Sequence, residues 1–135
     1  MEIVNELIKR HEGFREKPYL CTAGKLTIGY GRNLDDVGIT KEEASLLLEK
    51  DIIIATNQVR LVFKEEYKKF SYDRFMALVD MMYNLGLPRF KEFKKMIQAI
   101  RDNDWEEAAK QALDSDWAKQ VQARANEDAE LLRKG

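Results

Sequence analysis

The sequence holds one cysteine, one histidine and two prolines in 135 residues. A single thiol excludes an internal disulfide and a cysteine-based zinc cluster, and one imidazole beside it leaves a metal little to bind, so no cofactor is called for. No run approaches the ~18 consecutive apolar residues of a membrane span. The first residues alternate charge with Ile, Val and Leu instead of building a signal-peptide core, so synthesis in a cytoplasm and no stable membrane insertion are expected. Excess charge is lacking too. The 23 Lys and Arg against 24 Asp and Glu leave a net charge of −1, which argues against nucleic acid as a partner, because phosphate binding needs a basic surplus. There is no repeat, low-complexity tract or flexible linker. By length the chain is one domain, large enough to bury a real core and to split it into two lobes.

What charge there is lies unevenly. Residues 60–101 carry ten Lys or Arg against five Asp or Glu, and residues 102–135 carry five against nine. The middle could face an anionic surface or be a solvated helix face with scattered lysines.

Periodicity predicts a helix over 3–12, with Val4, Ile8 and Glu12 on one stripe. Gly13 suits the left-handed position that ends it. Between Tyr19 and Tyr30 the pattern turns extended: Leu26, Ile28 and Tyr30 alternate with Thr27, Gly29 and Gly31, and Gly24 offers a hairpin turn. Thr40 and Glu43 then form a capping box. The helix that it opens runs over about 41–62 without Gly or Pro and is long enough to join two lobes. Further helices are expected over Tyr72–Leu85, Phe90–Ile100, from Asp104 through Ala112, around Trp117, and from Ala123 to Arg133. The class is α+β, predominantly α.

Glu12 extends an apolar stripe at the last turn of its helix and should point partly inward. Burial raises a carboxyl pKa by disfavouring the charged form, and a carboxylic acid protonated near neutral pH is what a glycosidase uses to protonate a leaving oxygen. A surface Glu at a frayed helix end is the plainer reading of that feature alone. Cys21 and Thr27 lie symmetrically about Gly24, so a hairpin centred there brings them near each other. Gly29 and Gly31 share a face with Thr27 and leave room for close approach to the backbone. Taken singly, Cys21 reads as a small buried residue and Thr27 as an ordinary strand residue.

The stretch Glu12-Gly13, Arg15, Tyr19, Gly24, Thr27-Ile28-Gly29-Tyr30-Gly31 resembles the N-terminal active-site segment of the phage-type lysozymes, glycoside hydrolase family 24. The pattern of that family is Glu, eight residues, Asp or Cys, five residues, Thr, which Glu12, Cys21 and Thr27 fit. Gly38–Ala44, Tyr83-Asn84-Leu85-Gly86, Phe90, Trp105–Ala109, Ser115, Trp117 and Arg124 continue the match over nearly the whole chain. The resemblance implies one lysozyme-like domain over 1–135: a small β-hairpin lobe at about 13–40, a connecting helix at about 41–62, a helical lobe over 60–135, and helix 1–12 near the helical lobe. It implies a muramidase that hydrolyses the β-1,4 bond between N-acetylmuramic acid and N-acetylglucosamine in peptidoglycan. Glu12 would be the general acid, Thr27 would help hold the attacking water, and Cys21 would stand where many relatives place Asp. Asn33, Tyr83 and Gln111 match sugar-contacting positions, and Arg124 matches an arginine that reaches towards the catalytic Glu.

Where the best-known relatives have His paired with an Asp, this chain has Arg32, so Arg32 with Asp51 is expected to form a structural pair between hairpin and long helix. The resemblance further implies a monomer made in a host bacterial cytoplasm and released to the wall by a separate holin.

A thiol is a poor substitute for Asp as water activator, since an unperturbed cysteine is only a few per cent ionised at pH 7. Three roles remain for Cys21, in this order: a neutral thiol that orients a water held by Thr27, a thiolate water activator, and a covalent nucleophile. Three rivals to hydrolysis are open. A lytic transglycosylase would use Glu12 alone as acid and then base. A thiol peptidase would pair Cys21 with His11, although His11 is ~100° around the helix from Glu12. A non-catalytic glycan-binding module would keep the contacts and not need a protonated Glu12.

Overall fold

The structure is a computed structural model and describes residues 2–135. It is predominantly helical with one small antiparallel sheet, the α+β class expected from the sequence. The chain divides into two compact units, residues 1–46 and residues 47–135.

In the first unit, helix α1 (Glu2–Glu12) carries Lys9, Arg10 and His11 in its last turn, where cations oppose the negative end of the helix dipole. It stops where Gly13 takes φ +70° and donates its N–H to the Lys9 carbonyl at 2.9 Å. Strands β1 (Arg15–Leu20), β2 (Leu26–Gly29) and β3 (Arg32–Asn33) follow in the order β1-β2-β3. The two-residue β3 has no apolar alternation and was not foreseen.

The first hairpin is centred on Ala23, not on Gly24. Tyr19 faces Thr27, Leu20 faces Leu26, and the Cys21 amide donates to the Lys25 carbonyl at 2.9 Å. The Gly24 N–H closes the turn on the Cys21 carbonyl at 2.8 Å, with Gly24 at φ +78°. Glycine is thus the last residue of the turn, not its middle. Alternation along β1 still puts Cys21 on the face of Tyr19, so it is a diagonal neighbour of Thr27. The register shifts between Arg15 and Tyr19, a stretch that holds Pro18, which has no N–H for the ladder.

The loop after β3 ties the sheet with carboxylates. Asp35 accepts the Leu26 N–H at 2.6 Å, and Asp36 exchanges bonds with Asn33, taking its side-chain amide at 2.9 Å and giving its own N–H at 3.0 Å. Helix α2 (Lys41–Phe63) then opens with the capping box: Thr40 N–H to Glu43 Oε1 at 2.9 Å, and Glu43 N–H to Thr40 Oγ1 at 3.1 Å.

In the second unit the later part of α2 leads through a 3₁₀ turn (Lys64–Lys69) to helices α3 (Tyr72–Leu85), α4 (Leu87–Lys91), α5 (Lys94–Arg101), α6 (Trp105–Leu113), α7 (Asp116–Gln120) and α8 (Gln122–Lys134). Ser71, Asp104 and Ser115 cap α3, α6 and α7 through side-chain oxygens. The helix expected over Phe90–Ile100 is two helices, because Phe93 leaves helical geometry at ψ 55°. The core gathers Val59, Phe63, Leu78, Met81, Met82, Phe90, Met96 and Leu132, all fully buried.

Phe63 is the hinge of that packing, meeting Phe70 and Phe90 edge-on at centroid distances of 5.2 Å and 6.3 Å. Phe63→Ala would empty a site with no solvent access, and such truncations cost about 3–5 kcal/mol. The midpoint of urea unfolding should fall accordingly at unchanged slope.

Candidate active site

Glu12 is exposed, not turned inward as its stripe suggested. As the last residue of α1 it projects beyond the helix, towards the turn that joins β2 and β3. A Cβ built on Gly31 would stand 2.5 Å from Glu12 Oε2 and 2.7 Å from Cδ, closer than real Cβ atoms come to other atoms. The carboxylate is therefore seated on a backbone that only glycine leaves bare, and Gly31 also takes φ +77°. Gly29 is equally left-handed at φ +67° but has nothing within 4 Å of a built Cβ. The room expected beside Thr27 is used by Glu12 at one glycine and is open at the other.

Thr27 is buried at 3 % exposure and donates its hydroxyl to the Lys25 carbonyl at 2.8 Å. That bond consumes its only proton, leaving the lone pairs of Oγ1 as acceptors. Half-buried Cys21 sits in the concavity of the turn. The backbone N–H groups of Lys25 and then Ala23 point at its sulfur and hold the thiol below its usual pKa against a smaller opposing effect of burial. Donors aimed at sulfur favour the thiolate. Cys21 and Thr27 are thus brought together on the sheet that seats Glu12, all three within the first unit.

Arg32 pairs with Glu43 at 2.7 Å and donates Nε to the Gly38 carbonyl at 3.1 Å; the expected partner was Asp51. Glu43 sits in the first turn of α2, while Asp51 lies eight residues further, ~12 Å along the axis. The Thr40 N–H first, then its hydroxyl and Arg32, lower the Glu43 pKa against a modest effect of burial. Asn33 faces Thr27 across the sheet, with its amide engaged by Asp36.

The second unit holds the other residues singled out from the sequence. Tyr83 and Arg124 line one groove of about 750 Å³ together with Asp80 and Asp128. Gln111 lies elsewhere, in a cavity with Trp117 and Ser115, its amide donating to Glu107 at 2.8 Å. Asp51 borders a smaller recess beside Tyr83.

Asp80 and Asp128 were not singled out from the sequence. Asp80 takes Arg124 Nε at 2.9 Å and Nη2 at 2.7 Å, a two-pronged pair. Burial pushes Asp80 up, but bonds from Arg124 and Asp128 outweigh it and leave the carboxyl below its usual range. Asp128 is buried at 3 % exposure, and its Oδ2 has no hydrogen-bond partner among the described residues. Burial first, then the neighbouring Asp80, push its pKa up to about 9. The signal was present: Ala125, Asp128 and Leu132 fall on one stripe of α8, in line with Val121 just before it, an acid among apolar residues.

Gly31→Ala and Gly29→Ala carry the same left-handed strain, of about 1–2 kcal/mol, but only the first pushes on Glu12. Turnover of cell-wall glycan, the activity that the sequence resemblance implies, should drop about tenfold or more in Gly31→Ala relative to Gly29→Ala, because an ångström of misplacement suffices for that. The measurement is the lysis rate on purified walls, with unfolding midpoints showing equal stability.

Residues 9–132 match the family described as Phage lysozyme. The chain is 27 % identical over 160 residues to "Probable T4-type lysozyme 1" of Dictyostelium discoideum, covering 98 % of this chain and 94 % of that protein. It is 39 % identical over 88 residues to "Endolysin" of Acyrthosiphon pisum secondary endosymbiont phage 1, covering 62 % of this chain and 58 % of that protein. It is also 28 % identical over 157 residues to "Pre-baseplate central spike protein Gp5" of Enterobacteria phage T4, covering 96 % of this chain but 27 % of that protein. The match to the family extends from the last turns of α1 to the last turn of α8 and takes in Glu12, Cys21, Thr27 and Arg124: the chain belongs to the phage lysozyme family.

Proposed function

We propose that Glu12, Cys21 and Thr27 are the catalytic residues of this phage-type lysozyme. The chain is a peptidoglycan-cleaving muramidase, a glycoside hydrolase. The observation that carries the assignment of residues is the seat of the Glu12 carboxylate on Gly31, in the same small sheet whose first turn holds Cys21 beside Thr27.

In the proposed reaction Glu12 gives its proton to the oxygen leaving the β-1,4 bond between N-acetylmuramic acid and N-acetylglucosamine. A water on the opposite face of the sugar attacks the anomeric carbon and loses its proton, as an inverting mechanism requires. Thr27 Oγ1, its own proton committed to Lys25, accepts a hydrogen from that water. Cys21 takes up the water's second proton as it attacks. The turn amides shift the balance among its three roles, since they stabilise the anion and so support the thiolate water activator over the neutral thiol. Asn33, Tyr83 and Gln111 are proposed as saccharide contacts on the resemblance given above, and Arg124 joins them because it lines one groove with Tyr83.

The reading extends to the setting of the enzyme. Among the described residues no helix is long and apolar enough to cross a membrane. The chain acts as a single lysozyme-like domain and a monomer, without nucleic acid, made in the host cytoplasm and released to the wall through a separate pore-forming protein.

Glu12→Gln keeps the shape and removes the proton donor. Lysis of purified walls should fall by about 10²–10⁴-fold, the usual worth of a general acid. The products should carry reducing ends, whereas 1,6-anhydro sugars would replace hydrolysis by transglycosylation, and binding without cleavage would leave a glycan-binding module. Cys21→Asp should stay active and Cys21→Ser should fail. A nearly normal Ser variant would return the thiol to an orienting role.

A further inference from the structure

Arg124, among the saccharide contacts proposed above, is gripped in two prongs by a carboxyl group that the hydrolytic reaction does not use. Asp80 on α3 holds Nε and Nη2, and its backbone carbonyl accepts from Nη2 as well at 3.3 Å. Among the described residues Nη1 has no hydrogen-bond partner. Behind this pair stands Asp128, buried, one helical turn after Arg124 on α8, with an oxygen that meets no donor.

A buried carboxylate oxygen without a donor is costly, whereas a protonated carboxyl needs only an acceptor. Asp80 is that acceptor: Asp128 stands beside it, close enough to donate to it when protonated. Two carboxylates in contact cannot both ionise, so one proton is shared, as in paired-acid sites. The surrounding groups leave no other solution. From α3 the titratable groups on this groove are Tyr72, Asp80 and Tyr83, and from α8 they are Arg124, Glu127 and Asp128; α2 supplies Leu48, Ile52 and Thr56. The buried residues of α6 and α7 are Trp and Ala, apart from the half-buried flanks. Among the described residues that line the groove Arg124 is the one cation, and Asp80 already neutralises it.

We propose that Asp80 and Asp128 are positioning residues for Arg124, with Asp128 kept as a neutral acid that donates to Asp80 so that Asp80 holds the guanidinium and Nη1 stays free for the saccharide. This rests on the reading of Arg124 as a saccharide contact. Ionised Asp128 would turn the trio from net zero to net −1, compete for Arg124 and draw the guanidinium inward. The proton is held below about pH 9 and lost above it, so the device works at neutral pH and fails on the alkaline side.

The test follows KM and kcat separately on peptidoglycan fragments from about pH 6 to about pH 10 for the wild type, Asp128→Asn and Asp128→Val. In the wild type KM should rise about tenfold through the transition with kcat changing less. Asp128→Asn, whose amide donates without titrating, should show a flat KM over the same range. Asp128→Val, with no donor, should have a raised KM at every pH, so that Asn rescues what Val loses. In parallel, ¹³C carboxyl NMR of the wild type should show Asp128 titrating near pH 9, with the Arg124 Nε–H signal moving in the same step. Superimposable wild-type and Asn profiles, or an Asp128 carboxyl that titrates in the ordinary range, overturn the proposal. Absence of any cleavage by the wild type, together with the linked Asp128 and Arg124 transition, would leave the arginine-holding pair standing and remove the hydrolase reading instead.

Discussion

One oxygen, Oε1 of Glu43, ties the first unit together. It accepts the Thr40 N–H and Arg32 Nη2, at 2.9 Å and 2.7 Å, and so closes the start of α2 and anchors β3 in a single point. Arg32 continues the chain of bonds to the Gly38 carbonyl, and Asp35 and Asp36 fasten the loop between them to Leu26, Lys25 and Asn33. The sheet has few strands and short ones, which would not hold a register alone. Carboxylates at strand edges and at a helix cap take over that task. The position of Thr27, flanked by the Asp35-bound Leu26 and paired with Asn33, is fixed by this polar frame more than by apolar burial.

Such a frame explains how arginine serves where the comparison drawn from the sequence has a histidine. A guanidinium is planar and carries several donors, so Arg32 can serve a carbonyl and a carboxylate at once. Glu43 is already oriented by the capping box, so little side-chain freedom is lost when Arg32 joins it. Asp51, two turns further on, offers no such preparation.

Local rules were therefore readable in advance and tertiary ones were not. Thr40 with Glu43, Ser115, Asp104 and the left-handed Gly13 act within four residues of themselves, and each did what its type dictates. The hairpin register moved by two residues in sum because Gly24 serves as the closing donor of the turn, a choice that depends on which carbonyl it reaches. The break between α4 and α5 has no glycine or proline to announce it. Most telling is an acid on an apolar stripe, read the same way at Glu12 and available at Asp128. At Glu12, the end of a helix, the stripe ran out and the carboxylate went to Gly31; at Asp128, inside α8 and packed on α3, burial followed. Periodicity reports a direction, and only the neighbouring element decides whether that direction is covered.

Cys21 and Asp128 show how donors and depth together decide the charge of an acid in this chain. Cys21 lies where turn amides converge, and its anion is favoured although the group is partly covered. Asp128 is buried and no donor among the described residues reaches its Oδ2, and its neutral form is favoured although a cation stands in the same cluster, because Arg124 is already matched by Asp80. The same contrast bears on the position of Cys21 in the family pattern, which admits Asp or Cys. Amides directed at one point stabilise negative charge on oxygen as readily as on sulfur. A turn built in this way specifies an anion and leaves the element that carries it open, so a thiol can stand in the place of a carboxylate once its proton is made easier to lose.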